Sequence, residues 1–150
     1  MEPKLAHARV NKNFARKAQA VLDDVRGHGY NVRPSIVIRT RAEQRKLYAK
    51  GRSNYALGKK GFTVAEIALY RKQGALSTDA IVTKVLDSKH LHGLAMDVVF
   101  IDDDGKAIWN TTYSGWAIYG KACRAHNLIY GGDWKSFKDL CHCELKNEDI

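Results

Sequence analysis

Phe14, Ala18, Val21, Leu22 and Val25 recur at helical spacing, which predicts an amphipathic helix over residues 12–26. Gly27 and Gly29 stop it. Val32 to Ile38 is rich in β-branched residues and reads as a strand. Thr40 and Glu43 have the spacing of a capping box that opens a helix near 41–50, closed by Gly51. Residues 52–62, rich in glycine and lysine, read as a loop. Thr63 and Glu66 then open a helix near 64–73 that Gly74 ends. Residues 75–89 follow no single period. Ala95 to Ile101 reads as a buried strand, Asp102 to Gly105 as a turn, and the residues through Ile108 as a short strand. Ser114 is expected to cap a helix with Trp116, Tyr119, Ala122 and Cys123 on its inner face. Leu128–Tyr130 and Cys141–Leu145 read as short strands around a Gly131-Gly132 turn. Helices and short strands mix without βαβ regularity. The expected fold class is therefore α+β, a small antiparallel sheet with flanking helices.

The chain has 150 residues, enough for a single domain with its own core, and 45% are hydrophobic, which argues against disorder. Its formal charge is +9, from 25 basic and 16 acidic residues. That balance suits an anionic partner: nucleic acid, a membrane surface or an acidic wall polymer. A nucleic-acid-binding domain is the reading from another class. No basic motif interleaved with aromatics and no recognition-helix signature supports it. Cys123, Cys141 and Cys143 are too few and too close for a disulfide framework. The first residues, Met-Glu-Pro-Lys-Leu-Ala-His, lack the apolar run of a signal peptide, and no stretch is long enough to span a bilayer. The expectation is synthesis in the cytoplasm, no stable membrane association, and action as a monomer.

Chemistry concentrates in two stretches. In the first, Ser88-Lys89-His90-Leu91-His92-Gly93-Leu94-Ala95-Met96-Asp97, a glycine-permitted turn can fold His90 back towards Asp97. Imidazole and carboxylate are both good zinc ligands, although histidines near aspartates are common without a metal. In the second, Asp139 to Leu145, a period of two puts His142 and Glu144 on one face and Cys141, Cys143 and Leu145 on the other. The cysteines are therefore expected in the core as small apolar groups. A Cys-His-Cys zinc knot is the rival, but three adjacent ligands on one extended strand cannot all reach one ion. His90, Asp97 and His142 then make three metal ligands with a fourth position left for water, the pattern of a catalytic zinc site. Asp139, three residues before His142, can take the water's proton and pass it to a leaving amine.

These motifs resemble the zinc D-Ala-D-Ala carboxypeptidase and L-alanyl-D-glutamate endopeptidase family, which includes small phage endolysins. Ser88, His90, Gly93, Ala95 and Asp97 meet its Ser-x-His-x-x-Gly-x-Ala-x-Asp pattern. Asp139 and His142 meet its acid-x-x-His pattern. His142-Cys143-Glu144 resembles its His-x-Glu, and Gly132-Asp133-Trp134 a Gly-Asp-Trp of the endolysin branch. Ile38-Arg39-Thr40 with Gln44 resembles an arginine-bearing segment near the start of family domains. The resemblance implies a hedgehog/D-Ala-D-Ala peptidase-like fold and zinc on His90, Asp97 and His142. It also implies catalysis by Asp139 with Arg39 steadying an oxyanion or substrate carboxylate. Ser88 and Gln44 would contact substrate. The implied reaction is hydrolysis of the L-Ala-D-Glu bond of peptidoglycan, with D-Ala-D-Ala cleavage as the alternative. Residues 52–87 look like an extension that shapes the cleft or grips an anionic wall. His92 and His126 read as bystanders, and Trp134 as a packing platform.

Overall fold

A computed structural model describes all residues from Met1 to Ile150. By contacts the chain forms two compact units, Met1–Ile38 with His92–Ile150, and Arg39–Leu91. The first holds helix α1 (Lys12–Gly27), strand β1 (Val32–Ile36), strand β2 (Ala95–Phe100), helix α5 (Ser114–Ala125), strand β3 (Ile129–Tyr130) and strand β4 (His142–Glu144). The second holds helices α2 (Arg41–Ala49), α3 (Asn54–Lys59) and α4 (Val64–Lys72). A 3-10 turn, Lys89–His92, carries the chain back into β2.

The sheet is antiparallel throughout, in the order β1-β2-β4-β3. Its central strands set Ala95 opposite Glu144, Met96 opposite Cys143 and Asp97 opposite His142. α1 and α5 bury Phe14, Ala18, Val21, Leu22 and Val25 with Trp116, Tyr119, Ala122 and Cys123 against Met96, Val98, Phe100, Cys143 and Leu145. The α+β class is thus as the sequence implies. The predicted helix faces are the buried ones.

The differences are local. Residues 54–59 form α3, capped by the Ser53 hydroxyl accepting from the Ala56 N–H, where a loop is the sequence expectation. Ser53 supplied the start signal, and Leu57 the apolar contact that holds so short a helix. Ser114 does not cap α5; Tyr113 precedes the helix without a side-chain cap, and the Ser114 hydroxyl meets the Tyr30 hydroxyl at 2.7 Å. The strand expected after Gly105 is one isolated bridge, Ile101 to Ala107. β1 ends at Ile36, past a register shift between Pro34 and Ile36.

The unit Arg39–Leu91 has its own core of Tyr48, Ala49, Leu57, Phe62, Ile67, Tyr70 and Ala75. The expected capping box on α2 is present, with Thr40 and Glu43 bonded reciprocally. Arg45 locks α2 to α4. Its Nε and Nη2 donate to both Glu66 oxygens at 2.6 and 2.8 Å, and its guanidinium lies 4.0 Å from the centre of the Phe62 ring. The Arg45 bond, with help from the Tyr70 hydroxyl, outweighs partial burial and holds the Glu66 carboxyl down at about 2.

Two predictions follow from this packing. Gly93 has φ +67°, and a Cβ there would stand 2.1 Å from the Arg9 carbonyl oxygen. Gly93→Ala should cost about 3 kcal/mol or more, read as a lower urea midpoint. Glu66 has a folded pKa below its free value, so its contribution is present above about pH 4.5 and fades as pH falls through about 2. Glu66→Gln should lose about 1 kcal/mol at pH 7 relative to the parent, and unfolding curves of the two should converge in strong acid.

Candidate metal centre

Three local features aim the predicted ligands. The Lys89–His92 turn begins at Ser88, whose hydroxyl accepts from the His90 N–H at 3.2 Å while its carbonyl accepts from Leu91. His90 is 2% exposed. Gly93 then turns the chain, its carbonyl accepting from Asn11, and β2 begins. Asp97 lies inside β2, directly across the ladder from His142. The ligand atoms of His90, Asp97 and His142 all lie within 4.8 Å of one another.

His142 is held at both ring nitrogens. Nδ1 faces Asp97 Oδ1 at 3.0 Å, and Nε2 faces Glu144 Oε1 at 2.9 Å. Burial pulls the imidazole's pKa down, but hydrogen bonds to these two carboxylates overcome it and raise it to about 10. Two acceptors around one ring call for a cation, met either by a second ring proton or by a metal at Nδ1. Glu144 accepting the Nε2–H fixes the tautomer that leaves Nδ1 as a donor to a metal. The donor set is nitrogen and oxygen, three in number, and fits zinc in an open site. Trp134 packs on His142, ring centres 5.3 Å apart. Arg124 pins the neighbouring Asp133 at 2.9 and 3.1 Å.

Asp139 stands beside this set. One of its oxygens, one from Asp97 and the Cys141 sulfur lie within 4.8 Å of one another. Its N–H donates to the Gly131 carbonyl at 3.0 Å, and its carbonyl accepts from the His142 N–H at 3.2 Å. A Cβ on Gly131 would sit 2.4 Å from that carbonyl, so a side chain there would push Asp139 away. Cys141 was expected in the core with Cys143. Cys143 and Leu145 are fully buried, but the Cys141 thiol is only half-buried and donates to Asp139 Oδ1 at 3.1 Å. Cys141 packs against the edge of that core, and its carbonyl accepts from the Val98 N–H at 3.0 Å. Burial keeps the Cys141 thiol protonated by raising its pKa.

The remaining sequence candidates divide. Arg39 donates its N–H to the His90 carbonyl at 3.1 Å, and its Nη1 to Gln44 Oε1 at 2.8 Å. Gln44 is completely buried, and its Nε2 donates to the Val85 carbonyl at 2.7 Å. Gln44 thus orients Arg39 and ties down the 83–85 segment. Ser88 is 8% exposed and starts the His90 turn. His126 ends α5 but also reaches Asp24 at 2.6 Å.

The family model described as D-alanyl-D-alanine carboxypeptidase matches residues 82–145, the span that contains all three ligands and Asp139. Peptidoglycan L-alanyl-D-glutamate endopeptidase CwlK of Bacillus subtilis is 35% identical over 83 residues, 49% of this chain and 50% of CwlK. The chain thus spans about half the length of that relative. Among solved structures, the Serratia marcescens L-Ala D-Glu endopeptidase ChiX superposes with a TM-score of 0.63 at 22% identity, covering 97% of this chain and 86% of ChiX. The vancomycin resistance D,D-pentapeptidase VanY, in complex with Zn(II), gives 0.52 at 18% identity over 91% of this chain and 72% of VanY. These two likenesses show the fold alone: a small antiparallel sheet with flanking helices.

The centre makes a measurable distinction between ligand and support. In zinc titrations, His90→Ala should abolish tight binding. Glu144→Ala should weaken it by about 10- to 100-fold without abolishing it, because it frees the ring that Glu144 orients. Equal affinities for Glu144→Ala and the parent would remove Glu144 from the centre.

Proposed function

We propose that the chain is a zinc-dependent peptidoglycan endopeptidase that hydrolyses the L-Ala-D-Glu bond of the stem peptide. The observation that carries this reading is the convergence of His90, Asp97 and His142, with the Asp139 carboxylate beside but outside them. The likeness to CwlK and ChiX supports the choice of bond. A zinc ion on the three ligands would polarise the scissile carbonyl and make a water acidic near neutral pH.

The chain's own residues would do the rest. Asp139 Oδ2 takes a proton from the attacking water and returns it to the leaving amine nitrogen, so the peptide C–N bond breaks as the new C–O bond forms. The Cys141 S–H on Oδ1 leaves the other carboxylate oxygen as the acceptor. Glu144 holds the His142 ring against rotation. Arg39, fixed by Gln44, offers a permanent cation to a substrate oxyanion or carboxylate. An endolysin role belongs to the same reading, with synthesis in a host cytoplasm and action on the wall after release.

Asp139→Ala should retain zinc and lose about a hundredfold or more in turnover. Mass spectrometry of digested wall should show new D-Glu amino termini; free D-Ala would assign the chain to D-Ala-D-Ala cleavage instead. Addition of the protein to permeabilised cells should lower their turbidity, and stable turbidity alongside peptide cleavage would end the endolysin role.

A further inference from the structure

The positive charge of this chain is concentrated in one unit. Residues 39–91 contain twelve Lys and Arg against four Asp and Glu, a net +8, whereas the other ninety-seven residues hold thirteen against twelve, a net +1. Such self-repulsion in 53 residues opposes compactness, so the charge calls for a use.

Arginines and lysines of the unit are sorted. Arg45 is paired with Glu66. Arg52 donates to the Tyr48 and Thr83 carbonyls and stacks 3.7 Å from the Tyr48 ring centre. Arg71 ties together the carbonyls of Ala49, Arg52 and Ala75. The guanidinium forks of Arg52 and Arg71 are thus turned onto the unit's own backbone, and that of Arg45 onto Glu66. Three of the four acids are engaged internally as well: Glu43 at the Thr40 N–H, Glu66 at Arg45, and Asp79 at the Leu76 N–H. What faces water is mostly lysine. Lys60 after α3 and Lys72 at the end of α4 are exposed and Lys46 on α2 is half-buried; none of the three is paired with a carboxylate. These are point charges on flexible stems, spread over three helices instead of converging on one pocket. That arrangement suits a lattice of repeated carboxylates more than a stereospecific phosphate.

We propose that the outward lysines of Arg39–Leu91 form a docking surface for the stem-peptide carboxylates of peptidoglycan, holding the chain on its insoluble substrate. This rests on the peptidoglycan reading above, and its test is separable from it. The full chain is sedimented with purified, phosphopolymer-extracted sacculi at about 50 mM and about 300 mM salt. Lys46→Gln/Lys60→Gln/Lys72→Gln is compared with a control of equal charge loss in the other unit, Lys12→Gln/Lys106→Gln/Lys121→Gln.

The parent should bind at low salt and release at high salt. The first variant should bind on the order of tenfold more weakly and the control should bind like the parent. Carbodiimide amidation of the sacculi should abolish parent binding. Cleavage of a small soluble muropeptide should be equal in all three proteins, which also reports folding. Unchanged binding by the first variant, equal loss in the control, full binding to amidated sacculi, or binding to duplex DNA but not to extracted sacculi would each overturn the docking surface. A parent that sediments as described but cleaves nothing would sink the peptidase reading and leave the carboxylate docking standing.

Discussion

The antiparallel register between β2 and β4 is the constraint on which the candidate centre depends. It sets Asp97 opposite His142. β4 has three residues, too few for its ladder alone to choose a register. The choice comes from the other face, where Cys143 and Leu145 are completely buried. Slipping by one residue would carry both apolar side chains out of the core and His142 and Glu144 into it. The hydrophobic face of this short strand therefore positions the polar one, and packing energy becomes ligand geometry.

The same strand explains the cost of the centre. His142 sits between two carboxylates in a largely dry place, so removing either partner strands the other charges. Such a cluster contributes little to stability on its own. It persists because Trp134 covers it, the Asp139 backbone is clamped by Gly131, and the Ser88 hydroxyl starts the turn that presents His90. These supports come from loops and one-turn helices, anchored to rigid strands.

Sequence periodicity made the helical faces and the central strands legible because burial there repeats with the backbone. The clustering of the candidate ligands was legible for a different reason: a glycine-bearing turn, an acid three residues before a histidine, and a His-x-Glu leave spacings that chance seldom combines. Cys141 was legible in part. It packs against the core as the alternation implies, but its thiol is only half-buried and bonds to the Asp139 carboxylate, a contact that no period reports. The setting of Gln44 was not legible either. In sequence it is a polar residue five places from Arg39, and its complete burial and its bond to the Arg39 guanidinium come only with the fold. Residues 75–89 gave no period because turns and side-chain bonds order them, as where Asp79 accepts from the Leu76 N–H.

The unit Arg39–Leu91 shows how one residue class can be divided by task. Arg45, Arg52 and Arg71 replace much of the apolar burial that 53 residues cannot supply, tying helices and carbonyls together through fixed donors. A lysine in those places would bring a single charged point and lose the bidentate bond to Glu66 and the stacking on Tyr48. Outside, the preference reverses, because a mobile ammonium can follow anions whose positions vary. Composition alone reports only a basic chain. The structure separates the cations that build the unit from those left in water.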